Sequence, residues 1–571
     1  MPATVAALVA IGLCVGFWTW RGRAVALVDA PAPTLPCVSY APFQGTQSPF
    51  DETLVVPREQ IEADLRILSR LTGCVRIYSI DQGLAQVPQI AESLGLHVLL
   101  GAWLSRDAAR NAEEIAAVIA LANTHPQTVR GVIVGNEVLL RREMPPDRLI
   151  AAISEVAAAV EAPVSYADVW EFWLQHPEVA DAVDVVTIHI LPYWEDRPVA
   201  ADAAVVHVAE VAERMGRAFP GKPILVGEVG WPSRGRMREQ ALPSPLDQAR
   251  FVREMLVMAA RDGLAINLME GIDQPWKRRL EGTVGGFWGV LDAERRPKFP
   301  LSGPVSAEPR WLAGAGASAA LALLPILWAA VRRTPLRRRS WVILATAAPA
   351  AACSLVLASL DVAASSLGLL DWALGLAGLA IAAASVALAG QILLTGAPVV
   401  PTPALPLIQR VRARRLRGAV TPADALGWLR LVTLFGIAAT SLCLAFDGRY
   451  RDFPTATYAP PVACFLALAW LQRRPGRGGN GLREEAALAL IALAGAITVL
   501  AVEGPGNSQA LAWAGVTLAA VAIPLGELWP RPLQPDGSQC REQDGGGAEL
   551  GVVEDQRHGA GGNGRQDRGS A

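Results

Sequence analysis

The chain has 571 residues, too many for one ordinary domain, and its charge is nearly balanced, with 51 Lys plus Arg against 53 Asp plus Glu. That balance excludes a broadly basic nucleic-acid-binding protein. The mean hydropathy of +0.31 averages two unlike halves, a mixed polar and apolar stretch over 31–310 and a stretch rich in Ala, Leu, Val and Gly beyond it.

In chain order, "ATVAALVAIGLCVGFWTW" (3–20) is long enough for a membrane anchor or signal segment, assigned to residues 1–30. "RGR" (21–23) follows it, and Ala26 and Ala30 lie in small-residue contexts that suit cleavage. Over 31–305, short β-branched runs alternate with amphipathic helical patterns, the signature of parallel βα units. Eight strands are predicted: 37–42, 74–79, 97–103, 131–137, 163–168, 184–189, 223–228 and 266–270. The expected fold class is therefore α/β, a (β/α)8 TIM barrel followed by an α-helical multispan transmembrane domain.

Functional residues of such a barrel sit at the C-terminal strand ends. Those ends carry Tyr40, Tyr78 with Asp81, Trp103, Asn136 with Glu137, Asp168, His189, Glu228 and Glu270. Cys37 and Cys74 each open a predicted strand; a disulfide in an oxidising compartment and two buried thiols both stay open. The seven cysteines show no metal-ligand spacing, so no metal or cofactor is expected.

Seven spans are predicted over 306–530: roughly 311–331, 341–360, 372–395, 426–446, 456–472, 486–502 and 509–529. The loops at 332–339, 410–418 and 473–477 are strongly basic, whereas those near Asp361, at 447–452 and at 503–508 are not. The positive-inside rule puts the basic loops in the cytoplasm and the barrel outside, in the periplasm or its equivalent, of a multi-pass membrane protein. The Gly-rich polar tail, 531–571, is expected to be disordered in the cytoplasm.

Glu137 ends the fourth strand and Glu228 the seventh, so the barrel sets them across its mouth. Two facing carboxylates suit glycoside cleavage, one giving a proton to the leaving oxygen and the other attacking or stabilising the anomeric carbon. "VGNE" (134–137) and "VGEVGWPS" (226–233) resemble the two signatures of family 17 of the glycoside hydrolases, retaining β-1,3-glucan enzymes on (β/α)8 barrels. The likeness continues through "VRIYSID" (75–81), "LLGAW" (99–103) and "MEGIDQPWKRRLEGTVGGFWGVLD" (269–292), and a barrel joined to many spans is similar to the family's bacterial branch.

This resemblance implies Glu137 as general acid/base, Glu228 as nucleophile and Asn136 as partner of a sugar 2-hydroxyl. It puts Tyr78, Asp81, Glu270, Asp273, Lys277 and Glu281 among substrate-binding or carboxylate-tuning groups. "HILPYW" (189–194) departs from the family pattern, so the ring that supports the nucleophile is sought in Tyr193 or elsewhere, with His189 as a positioning group. Trp170, Trp173, Trp194, Trp231 and Trp276 are candidates to line sugar subsites. The expected partners are a β-glucan, the membrane and a β-glucan synthase, with no nucleic acid.

The expected activity is transfer of a β-1,3-glucan to an acceptor sugar, with hydrolysis by an endo-1,3-β-glucanase as the first alternative. A membrane-anchored glycan-binding module is the second. The transfer reading rests on the Trp-rich segments 166–175 and 191–198, where an acceptor can be held against competition from water.

Overall fold

The computed structural model describes residues 2–397, 399–412, 420–471 and 483–528. The expected disordered tail lies outside these residues, as do most of the basic loop at 410–418 and all of that at 473–477.

Eight parallel strands close into a barrel, with β8 pairing back onto β1. They are β1 (Leu35–Ser39), β2 (Thr72–Arg76), β3 (His97–Ala102), β4 (Val129–Asn136), β5 (Val164–Val169), β6 (Val185–His189), β7 (Ile224–Val229) and β8 (Ala265–Leu268). The barrel follows the sequence expectation, with β1, β2 and β4 each beginning two residues earlier. Pro36 falls at the second residue of β1, and its carbonyl accepts from the Thr72 hydroxyl on the neighbouring strand. Cys37 and Cys74, paired in register on β1 and β2, form a disulfide.

Alternation along the strands sends one set of side chains outward against the helices, among them Val38, Val75, Val98 and Val186, all fully buried. The other set fills the interior and includes a polar group near the strand ends. Asn267 donates to Ser39 Oγ and to the Gly227 carbonyl, both at 2.8 Å, and Ser165 and Thr187 share a hydrogen bond of 2.6 Å. Buried polar atoms are tolerable where they satisfy one another, and this network forms the floor of the mouth.

Besides the barrel domain, the described residues hold eight apolar helices, Pro2–Arg21, Trp311–Val331, Arg338–Ser365, Leu369–Thr395, Pro422–Phe446, Thr455–Leu471, Arg483–Glu503 and Ser508–Leu528, and a short helix at Ala404–Arg412. Among the described residues, seven are long and apolar enough to cross a membrane. Thr455–Leu471, a predicted span, is the short one at 17 residues, with Pro460 and Pro461 inside it. The first helix packs along Trp311–Val331, where Trp18 Nε1 donates to Ser318 at 2.9 Å. Just outside this pair, Ala24–Val25 and Val305–Ser306 form an antiparallel two-stranded ribbon.

Candidate active site

Glu137 follows β4 in a left-handed backbone conformation, φ +53°, its amide held by the Ala167 carbonyl at 2.7 Å. A non-glycine residue there stores strain, a feature that collects at working sites. Glu228 lies within β7 directly after Gly227. A Cβ at Gly227 would come within 2.3 Å of Thr187 and 3.0 Å of the Arg76 guanidinium. Glycine therefore lets Arg76 lie across the strand and donate to the Gly227 carbonyl at 2.6 Å.

Arg76 organises the floor. It is 1% exposed, donates to Asn136 Oδ1 at 2.7 Å, approaches His189 Nε2 at 3.3 Å and stands 3.8 Å from Glu228 Oε1. His189 sits between the two glutamates, with Nδ1 2.8 Å from Glu137 Oε1 and Nε2 3.6 Å from Glu228 Oε1. Burial pushes the Glu137 carboxyl up, but the His189 hydrogen bond and the charges of His189, Arg76 and Arg141 outweigh it and hold Glu137 below the usual glutamate value. Tyr78 also neighbours Glu228, and its ring lies under the Arg76 guanidinium at 4.6 Å. Its hydroxyl shares a 2.8 Å hydrogen bond with Ser39, and burial followed by the Glu228 charge raises it well above the usual tyrosine value.

A second set of charges borders this pair. Lys277 Nζ donates to Glu270 Oε2 at 2.8 Å and also feels Glu281 and Glu228. Burial pushes Glu270 up to about 7 against the opposing pull of Lys277. Glu281 is raised as well, first by burial, and Glu228 and Glu137 add to it. Glu270 Oε1 and Glu281 Oε2 are buried acceptors without a hydrogen-bond partner among the described residues.

The structure thus brings Asn136, Glu137, His189, Glu228, Tyr78, Glu270, Lys277 and Glu281 together. It sets other expected residues elsewhere. Asp273 is buried beneath the loop, bonded to Lys298 at 2.9 Å and to the Gly289 amide at 2.8 Å. Asp81 is turned to the outer rim and pairs with Arg110 at 2.8 Å. Tyr193 is fully buried and donates to the Arg236 carbonyl at 2.7 Å, so the tyrosine beside Glu228 is Tyr78.

The tryptophans divide in the same way. Trp173 is 1% exposed, donates to the Thr187 carbonyl at 2.8 Å and packs on Tyr166 and Phe219; Trp231 is also buried, donating to the Leu242 carbonyl at 3.1 Å. Neither can offer a face to a sugar, because both indoles are spent inside the packed interior. Trp170 is half-buried under Arg214 on an outer helix. Trp194 rests against Trp288, Tyr450 and the Arg449 guanidinium. Trp276 keeps a half-exposed ring beside Phe43, Phe50 and Lys277. Trp103, at the end of β3, is 38% exposed with Arg141 over its ring at 4.2 Å.

Sequence reasoning missed Arg76, Lys298 and Arg141. The signal for Arg76 is a lone charge inside the apolar run "CVRIYS" (74–79).

Ligand atoms of Glu137, His189 and Glu228 lie within 4.8 Å of one another, close enough to surround one cation. The Arg76 guanidinium already faces His189 and Glu228 at 3.3 and 3.8 Å, so a metal would meet a fixed positive charge. What the geometry does supply is two carboxylates with oxygens within 4.8 Å of each other, one hydrogen-bonded to an imidazole and the other beside a guanidinium and a phenol.

Residues 37–289 match the BtgE/BtgC glycoside hydrolase domain. A glucan 1,3-beta-glucosidase of Schizosaccharomyces pombe is 27% identical over 257 residues, 42% of this chain and 79% of that protein. Its Saccharomyces cerevisiae namesake is 25% identical over 263 residues, 42% of this chain and 84% of its own. Among solved structures, a glycoside hydrolase family 17 beta-1,3-glucanosyltransferase from Rhizomucor miehei is 25% identical and covers 46% of this chain and 94% of its own, with a TM-score of 0.41.

Proposed function

We infer, from a barrel that is a family 17-like glycoside hydrolase domain, that this protein cleaves β-1,3-glucosidic bonds with retention and passes the glucan to an acceptor sugar. The observation that carries the reading is the separation of at most 4.8 Å between ligand oxygens of Glu137 and Glu228, near the ~5 Å that retaining enzymes use and too short for an inverting water.

Glu228 attacks the anomeric carbon while Glu137 gives a proton to the leaving oxygen, forming a glycosyl-enzyme. Glu137 then takes a proton from the incoming hydroxyl. A resting Glu137 held below the ordinary value needs a proton supply. Glu137 is 24% exposed, so that proton comes from solvent, while the 2.8 Å contact with His189 Nδ1 aims the carboxyl. Asn136, fixed by Arg76, faces the sugar 2-hydroxyl; the unpartnered oxygens of Glu270 and Glu281 suit further sugar hydroxyl donors.

Hydrolysis is the second reading, favoured by the burial of Trp173, which removes one of the three tryptophans in the acceptor segments expected from the sequence. The membrane reading is a bacterial inner membrane with the barrel on its outer face, near glucan being made or remodelled by a synthase. Support comes from seven membrane-length helices and basic loops on alternate connections.

The test is to incubate the full chain in detergent with a defined β-1,3-gluco-oligosaccharide and follow product sizes by mass spectrometry, with Glu228→Gln as control. Longer products establish transfer, and shorter products alone establish an endoglucanase. No change in either protein leaves a glycan-binding module or another glycan.

A further inference from the structure

The loop after β8 carries Lys277 and Glu281 toward the glutamate pair, and its other side rests on the helical half of the chain. Thr283 donates to Asp452, in the connection between helices Pro422–Phe446 and Thr455–Leu471. Arg278 Nη1 donates to the Ala364 carbonyl at 2.7 Å and to the Ser366 carbonyl at 3.3 Å, at the end of helix Arg338–Ser365. Gly282 has φ +70°, and a Cβ there would lie 1.8 Å from the Tyr450 carbonyl oxygen, so only glycine lets the two backbones meet.

The loop after β7 adds to this junction. Arg236, 3% exposed, pairs with Glu503 and donates to the Arg451 carbonyl at 2.8 Å; Asn507 donates to the Met237 carbonyl at 2.9 Å. These partners lie in the non-basic connections of the helical half, and each contact is to a loop at the C-terminal end of a barrel strand.

We propose that the connection Asp447–Pro454 of the helical half is part of the enzyme's working site, with Asp452 and the Tyr450 carbonyl as positioning groups that hold the Lys277–Glu281 segment against Glu228. The argument is mechanical. Residues 278–286 contain a single helical turn, Arg278–Glu281, and a short 3-10 turn, Thr283–Gly286. So short a segment has little order of its own, and its position comes from what it packs against. Barrel contacts fix one side through Lys277–Glu270; helical-half contacts fix the other through Arg278, Gly282 and Thr283. Glu281 lies between the two and faces Glu228 and Glu137. In consequence the glucan cleft has a rim contributed by the membrane-type half, on the side of β6 to β8.

The inference rests on Glu137 and Glu228 as the reacting pair, so its test reads both turnover and loop order in the full chain in detergent. Thr283→Val removes the donor, Asp452→Ala the acceptor, and Thr283→Ser restores the donor. The expected result is kcat lower by about tenfold or more in the first two, KM within about twofold, and recovery in Thr283→Ser, because small misplacements near reacting groups cost rate more than affinity. Hydrogen-exchange mass spectrometry should show faster exchange over 278–286 in the first two variants, with thermal midpoints near wild type. Wild-type kcat in both, or lower kcat without faster exchange, overturns the proposal. A wild type inert toward β-1,3-gluco-oligosaccharides would overturn the enzymatic reading alone, and the exchange measurement would still decide whether Asp452 holds the loop.

Discussion

His189 contacts Glu137 at 2.8 Å through Nδ1, closer than its 3.6 Å approach to Glu228 through Nε2. With Glu137 ionised, the ring must be the donor, and its hydrogen bond is the largest of the effects that keep the carboxyl below its ordinary value. Replacing the ring by Asn removes the imidazole from this contact. Glu137 should then rise, and the alkaline limb of the kcat/KM profile, which reports loss of the acid's proton in free enzyme, should move to higher pH. A limb that stays in place in His189→Asn, or moves down, would show that His189 does not lower the Glu137 carboxyl.

Arg76 is a buried cation whose partners are Glu228, Asn136 and the Gly227 carbonyl. Arg76→Met keeps the bulk and leaves Glu228 without its buried guanidinium. The expected loss is about 3–5 kcal/mol of barrel stability together with activity, as for any buried pair deprived of one member. Chemical denaturation of the full chain, followed by near-ultraviolet circular dichroism, measures it; a loss under about 1 kcal/mol would mean the pair is far better hydrated than its burial implies.

The buried acids predict an unusual pH dependence of stability. Burial raises Glu270 to about 7, Asp273 to about 6 and Asp168 to about 6. Between the ordinary carboxyl values near 4 and these raised ones, the folded state binds more protons than the unfolded state, so stability falls as pH rises. Their contribution is complete below about pH 4 and lost by pH 7. Glu137 has the opposite sign, but its contribution is lost only as pH falls through its lowered value, outside this window. The thermal midpoint should therefore be higher at pH 5 than at pH 7.5; an equal or lower midpoint at pH 5 would contradict the burial of these groups.

Two tryptophans separate stability from sugar contact. Trp103→Ala, at an exposed ring, should raise KM and leave the thermal midpoint near wild type. Trp173→Ala should cost about 3–5 kcal/mol and leave the ratio of transfer to hydrolysis unchanged. A changed product ratio in Trp173→Ala at a temperature where it is folded would return that ring to the acceptor side.

The strands and both glutamates were legible because apolar, β-branched runs ending in polar residues leave few alternatives to a parallel barrel. The tryptophans were not. A position shortly after a strand end says that Trp173 is near the mouth in sequence, but the helix Trp170–Gln175 turns the ring inward onto Tyr166. Arg76 escaped notice because strand parity, which aims Val75 outward and Arg76 inward, is set by register with β1 and β3. The contact between Thr283 and Asp452 joins segments 169 positions apart, and no local pattern encodes it.

The ribbon formed by Ala24–Val25 and Val305–Ser306 brings the two ends of the barrel segment side by side. Topologically the barrel is thus an insertion into a helical hairpin, Pro2–Arg21 with Trp311–Val331. During biogenesis the second helix of that hairpin is separated from the first by the whole barrel sequence, a long loop with a correspondingly large entropy to overcome. A completed barrel replaces that loop with two adjacent exits, so its closure raises the effective concentration of one helix for the other. Barrel closure and the pairing of these two helices become successive steps of one assembly, in which the Trp18–Ser318 contact is made late.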